Sequence, residues 1–204
     1  MSEIKQYNYI QNYQRKLTYL NILFSMTAAS FLMMKLSSVY SQIFPYANVF
    51  EIVIAGGLIA HLLGKFCGRV IFRKIQSTRI LFLVNEILFL AASAFAFYFY
   101  CQSGETTTEG VLSRFIFSPV LYAAAALAVP FFLGIKNNYF LKASCGKFFD
   151  EKKGALTYMG FFIFGLASGI LIYHFIPLSA SKLAAVSFLG LSILPAIFIS
   201  LKYQ

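Results

Sequence analysis

Long apolar blocks alternate with short polar ones along this chain. Six mostly apolar stretches, roughly 17–43, 47–72, 80–101, 113–135, 155–177 and 182–201, are each long enough for a helix to cross a hydrocarbon core of about 30 Å. The connections are short. Pro45 and CQSGETTTEG (101–110) mark two on one side, and FRKIQSTR (72–79) and IKNNYFLKASCGKFFDEKKG (135–154) mark two on the other. The pattern predicts an all-α integral membrane protein, a six-transmembrane-helix bundle. The first sixteen residues are too polar to span. Ile4, Tyr7, Ile10, Tyr13 and Leu17 recur at steps of three or four, which suits a short amphipathic helix lying on the membrane surface. A disordered polar tail is the other reading of the same stretch. The chain thus divides into an N-terminal segment, 1–16, and a membrane domain, 17–204.

Charge orients the bundle. Lys5, Arg15 and Lys16 precede the first span. Lys65, Arg69, Arg73, Lys74 and Arg79 surround the turn between the second and third. Lys136, Lys142, Lys147, Lys152 and Lys153 fill the loop between the fourth and fifth, and Lys202 follows the sixth. If the spans alternate, all of these fall on one face. The opposite loops carry Glu105 and Glu109, with Arg114 and Lys182 at helix edges. Cytoplasmic loops collect Lys and Arg, so both termini are expected in the cytoplasm. The expected location is multi-pass, in a bacterial inner (cytoplasmic) membrane.

Composition agrees with this placement. Charged residues make up 12% of the 204 positions and hydrophobic ones 59%, against about 25% charged in soluble domains. The net charge of +10 would suggest nucleic acid in a soluble protein. Here its one-sidedness reads as a topology signal and a contact to anionic lipid, and no nucleic-acid partner is expected. Trp is absent, so the Tyr and Phe residues, 13 and 24 in number, take over as interfacial anchors. Cys67, Cys101 and Cys145 have neither metal spacing nor the look of a disulfide framework and read as small apolar side chains. The N-terminus is too polar and too long for a typical cleaved signal peptide.

Four ionisable groups fall inside the predicted spans: Lys35, Glu51, His61 and Glu86. Lys35 and Glu51 lie at similar depth, near the outer ends of the first and second spans. They can pair, or each can snorkel separately to the interface. His61 shares a face with Gly57, Gly64 and Gly68 and is expected at a helix contact. A bis-histidine haem with His174 does not fit, because one His is central and the other near the outer surface. No cofactor or metal is expected. Glu86 sits in the run RILFLVNEILFL, on a stripe with Arg79, Ser93, Ala96 and Tyr100. That stripe is polar or small, so Glu86 is expected to point into the bundle, with Arg69 and His61 as candidate partners. Small residues at a spacing of four recur at Gly64–Gly68 (GKFCG) and at Gly165–Gly169 (GLASG). They allow close helix approach, and helices 2 and 5 are expected to meet a second copy or another subunit there, the competing reading being that these glycines only pack helices within one bundle.

Three segments carry a family likeness. They are GGLIAHLLGKFCGRVIFRK followed by LVNEILFL, then PFFLGIKNNYFLKA, and then DEKKGALTYMGFFIFGLASGILIYHFIPL. Over about residues 17–201 the chain resembles the transmembrane domain of membrane-bound spermidine synthase-like proteins, which looks like half of a major facilitator bundle. The likeness implies a structural, bundle-facing carboxylate at Glu86. That family usually continues into a soluble aminopropyltransferase domain. The residues for that chemistry are missing from this sequence, so no such activity carries over.

The sequence contains no nucleophile triad, metal cluster or phosphate loop, and no catalytic residue is assigned. The expected function is a non-catalytic membrane subunit that anchors or scaffolds partner proteins. The alternative is a small-solute transporter, or the substrate-binding membrane component of one.

Overall fold

A computed structural model describes residues 3–43, 48–74, 78–103, 124, 126–136, 151–176 and 178–201, with side chains over the inner parts of these segments. Among the described residues the fold is all-helical. The helices are α1 (Glu3–Ile43), α2 (Val49–Lys74), α3 (Thr78–Ser103), α4 (Ala126–Lys136), α5 (Glu151–Phe175) and α6 (Leu178–Leu201). The early part of the fourth predicted span, the two longer polar connections and the tail at Lys202 lie outside the described residues.

Local chemistry sets several helix ends. Asn48 caps α2, its carbonyl accepting the first helical hydrogen bond from Ile52 N–H at 3.0 Å. The last bond of α5 runs from Ile176 N–H to Ile172 O at 2.9 Å, just ahead of Pro177, which has no N–H to extend it. At the N-terminus the segment before residue 16 is helical and continuous with the first span, α1 running unbroken for 41 residues. Residues 4–16 contain no Gly or Pro, so nothing local stops the first apolar helix from propagating back to Glu3.

Contacts fix relative directions. Gly165 of α5 meets Leu23 and Met26, and Gly169 meets Thr27 and Phe31, so α1 and α5 run parallel. Gly56 of α2 meets Leu127, Gly57 meets Pro130 and Gly64 meets Phe131, so α2 and α4 also run parallel. Asn21 reaches Ser192, whereas Phe31 and Leu32 pack on Ala185, so α6 runs against α1. α1 is the central helix, touching α2, α3, α5 and α6.

Two helices, over Lys16–Ser41 and Val49–Ile71, are long and apolar enough to cross a membrane by length and composition. The apolar parts of the others, Leu83–Tyr98, Ala126–Lys136, Met159–Phe175 and Leu183–Pro195, are shorter. The core is apolar, with Ile22, Met26, Phe31, Leu36, Phe89 and Val129 buried, and the outer surface is apolar as well. Ile52, Leu62 and Phe66 on α2, Phe164 on α5 and Leu183 on α6 are each more than 60% exposed. Inside, Asn21, Ser25, Lys35, Asn85, Glu86 and Lys136 are buried.

Candidate functional site

The interior polarity begins on α1. Thr18, Asn21 and Ser25 stand at steps of three and four on one face and are all buried. Most hydroxyls on this helix satisfy themselves on its own backbone. Ser25 Oγ donates to Asn21 O (2.6 Å), Thr27 Oγ1 to Leu23 O (2.9 Å), Ser30 Oγ to Thr27 O (3.2 Å) and Ser37 Oγ to Met34 O (2.9 Å). Such back-bonding lets small polar residues lie in a helix core at little cost. Asn21 instead reaches across to α6, its Nδ2 donating to Ser192 O at 2.8 Å.

The centre of the site is Lys136, 2% exposed at the end of α4. Its Nζ stands 2.6 Å from Glu86 Oε1 and donates to Ser25 Oγ at 2.7 Å. It also lies 5.1 Å from the centre of the Phe89 ring. An ammonium has three N–H groups, and a carboxylate, a hydroxyl and an aromatic face receive them. One turn earlier, Asn85 Nδ2 donates to Phe132 O at 3.3 Å. The pair therefore ties α1, α3 and α4 together through a net-neutral polar cluster. Removing water from two charges is expensive, and close geometry with further hydrogen bonds is what makes it tolerable.

The sequence expectation for Glu86 needs correction in its partner. Glu86 is buried, with Ser93 and Ala96 on the same face, also buried. Arg69 is exposed on α2. His61 donates to the Pro130 carbonyl and packs against Phe162, ring centres 5.3 Å apart. The partner is Lys136, a residue that read as part of the basic loop. The reason is geometric. α4 continues through Lys136, which extends the buried series Ala126, Val129, Leu133 by one further step of three. A helical side chain leans toward the N-terminus of its helix, so the lysine stem runs back along α4 into the bundle. Arg79 and Tyr100 lie outside the described side chains.

Among the described residues, four buried polar atoms here have neither a hydrogen bond nor an ion pair, Asn21 Oδ1, Asn85 Oδ1, Glu86 Oε2 and Ser93 Oγ, while Glu86 Oε1 has the Lys136 ammonium alone. The cluster is thus neutral in charge but short of donors.

The other predicted residues are dispersed. Lys35 is buried, with its Nζ 4.8 Å from the Tyr173 ring centre and 5.5 Å from that of Phe31. Glu51 is exposed in the first turn of α2, where a carboxylate suits the helix dipole. The two therefore face different surroundings. His174 is exposed and sits edge-on to Tyr173, far along α5 from the His61 contact at Phe162. Cys67 is a free thiol, half-buried.

The glycines pack inside the molecule. A Cβ on Gly64 would strike the carbonyl of Phe131, and one on Gly134 would strike the carbonyl of His61. A Cβ on Gly57 would come within 2.9 Å of Met33 Cε. On α5, a Cβ on Gly165 would lie 2.7 Å from Met26 Cβ, and one on Gly169 would strike Ser30 Oγ and approach Thr27 O to 2.6 Å. Gly68 is buried. The expectation that these stripes meet another molecule is corrected accordingly. The stripe on α2 lies against α4 and that on α5 against α1, because backbone-to-backbone crossings need a missing Cβ on at least one side.

Compared with protein-family models, with curated proteins and with solved structures, the chain matches none.

Proposed function

We propose that this chain is a six-span integral membrane subunit, non-catalytic, that holds partner proteins in a bilayer through the outward faces of α2 and α5. One observation carries the reading: the bundle is apolar outside as well as in. Its outer surface carries exposed Leu, Ile and Phe, while Lys136, Glu86 and Ser25 are buried and cross-linked. Exposed apolar surface on this scale is unfavourable in water and suits lipid or another membrane protein. The helix directions, α1 parallel to α5, α2 parallel to α4 and α6 against α1, support six crossings with both termini on the basic side. The likeness of residues 17–201 to a half-facilitator bundle points the same way.

The glycine faces are occupied within the fold, so the partner surface is the opposite one. On α2 it is Ile59, Leu63 and Phe66, and on α5 Ile163 and Phe164, all exposed. A photo-crosslinking residue at Leu63 or Phe164 is expected to capture a single stoichiometric protein, either a second copy of the chain or another subunit. The same probe at Leu194 on α6 is expected to capture lipid alone. Equal lipid-only labelling at all three positions would remove the partner surface.

A second reading, a transport component, draws on the unmatched acceptors around Glu86, because intramembrane carboxylates mark ion and solute paths. Solute uptake by vesicles containing the purified chain, lost in Glu86→Gln while folding is kept, would favour it over the subunit reading.

A further inference from the structure

Beside the polar centre lies an unrelated cavity of about 160 Å³ between α1, α2, α4 and α5. Met26, Met33 and Met34 form one wall, Pro130 and Leu133 another, and Phe162 a third. Its mouth is framed by Leu58 of α2 and Leu166 of α5, both exposed. The lining offers no polar handle. Ser30 and Ser37 donate to carbonyls of α1, and His61 donates to Pro130. An occupant must therefore be hydrocarbon. A cavity of this size accepts an object about as large as benzene, which is room for a piece of chain and not for a headgroup. Flexible methionine side chains adapt to such a guest.

The charges beside the mouth identify the rest of the molecule. Leu58, Lys65 and Arg69 share one face of α2, at steps of seven and four. Lys65 and Arg69 are both exposed and stand about 10 and 16 Å along the helix from Leu58, toward its basic end. Basic residues beside a cleft between membrane helices bind anionic headgroups. We infer that this face is a binding site for one anionic phospholipid, with its phosphate on Lys65 and Arg69 and one acyl chain entering the methionine-lined cavity between α2 and α5.

The inference rests on the membrane placement proposed above, and one experiment separates the two. The chain has no Trp, so a single introduced Trp reports its own surroundings. Leu166→Trp at the mouth and Leu194→Trp on α6 are reconstituted separately into phosphatidylcholine vesicles. A minor component is dibrominated on its acyl chains and carries either a phosphatidylglycerol or a phosphatidylcholine headgroup. At Leu166→Trp, brominated phosphatidylglycerol is expected to quench as though enriched about thirtyfold over random mixing, the scale expected for two cations. At Leu194→Trp the two brominated lipids are expected to quench equally. Lys65→Gln with Arg69→Gln, both at exposed positions, should bring the first value down to the second. Equal quenching by the two headgroups at Leu166→Trp would overturn the lipid site, as would an excess that survives the double substitution. The membrane placement itself fails only if neither Trp is quenched in vesicles made wholly of brominated phosphatidylcholine.

Discussion

α1 and α2 both have the length and composition to cross a bilayer, yet they occupy opposite situations. Of the apolar window of α1, 67% is buried, against 28% for α2. α1 carries the polar residues, Asn21, Ser25 and Lys35 among them, and turns them inward. α2 carries a nearly unbroken aliphatic face and turns it outward. The difference teaches that polarity alone does not decide which helix is central. The central helix is the one whose polar groups find partners: backbone carbonyls for its hydroxyls, Ser192 for Asn21 and Lys136 for Ser25.

The strongest way to break this comparison is to leave one charge of the interior unpaired. Glu86→Leu strands the Lys136 ammonium in the core and is expected to cost about 3–5 kcal/mol, read as a lower unfolding midpoint in a denaturing-detergent titration. Lys136→Met alone strands the carboxylate and should cost a similar amount. Combining Lys136→Met with Glu86→Gln removes both charges, and most of the loss should be recovered. A double variant no more stable than either single one would mean that the pair does not act as a unit.

Glycines sharpen the same contrast on a smaller scale. Gly64→Ala and Gly169→Ala place a methyl against neighbouring backbone and are expected to destabilise by about 1–3 kcal/mol, as overpacking does. Gly160 has nothing within 4 Å of its would-be Cβ, so Gly160→Ala should be neutral or gain up to about 1 kcal/mol from helix propensity. If all three behaved alike under the same titration, the close crossings of α2 with α4 and α1 with α5 would be wrong.

The smallest effect expected is at Asn21. Asn21→Leu loses one hydrogen bond to Ser192 and also removes a buried acceptor that has no partner. The net cost should be at most about 1 kcal/mol, measured by the same midpoint.

The helical class was legible because apolar runs of this length leave few alternatives. The inward turn of Glu86 was legible too, because Ser93 and Ala96 share its stripe. Its partner was not. Lys136 belongs, by sequence, to a basic loop, and only the register of α4 reveals that it continues the face of Ala126, Val129 and Leu133. The polar stripe of Thr18, Asn21 and Ser25 was present in the sequence, at helical spacing, and was masked by the apolar residues around it. The glycine stripes showed that close approach was needed. They could not show which neighbour approached, because a missing Cβ suits an internal crossing and an external one equally. A helix over the first sixteen residues was legible in the spacing of Ile4, Tyr7, Ile10, Tyr13 and Leu17, but its continuity with the first span was not, since polarity argues against spanning and is silent about helix propagation.

In the proposed placement the bundle sits in a bilayer with its connections alternating between the two sides. The most direct test of this placement is site-specific labelling in a background from which Cys67, Cys101 and Cys145 have been replaced. A membrane-impermeant thiol reagent is applied to intact cells carrying Thr106→Cys or Phe148→Cys, and again after permeabilisation. The account predicts that Thr106→Cys labels in intact cells and Phe148→Cys only once the membrane is opened. Labelling of both in intact cells, or recovery of the chain in the soluble fraction, would contradict it.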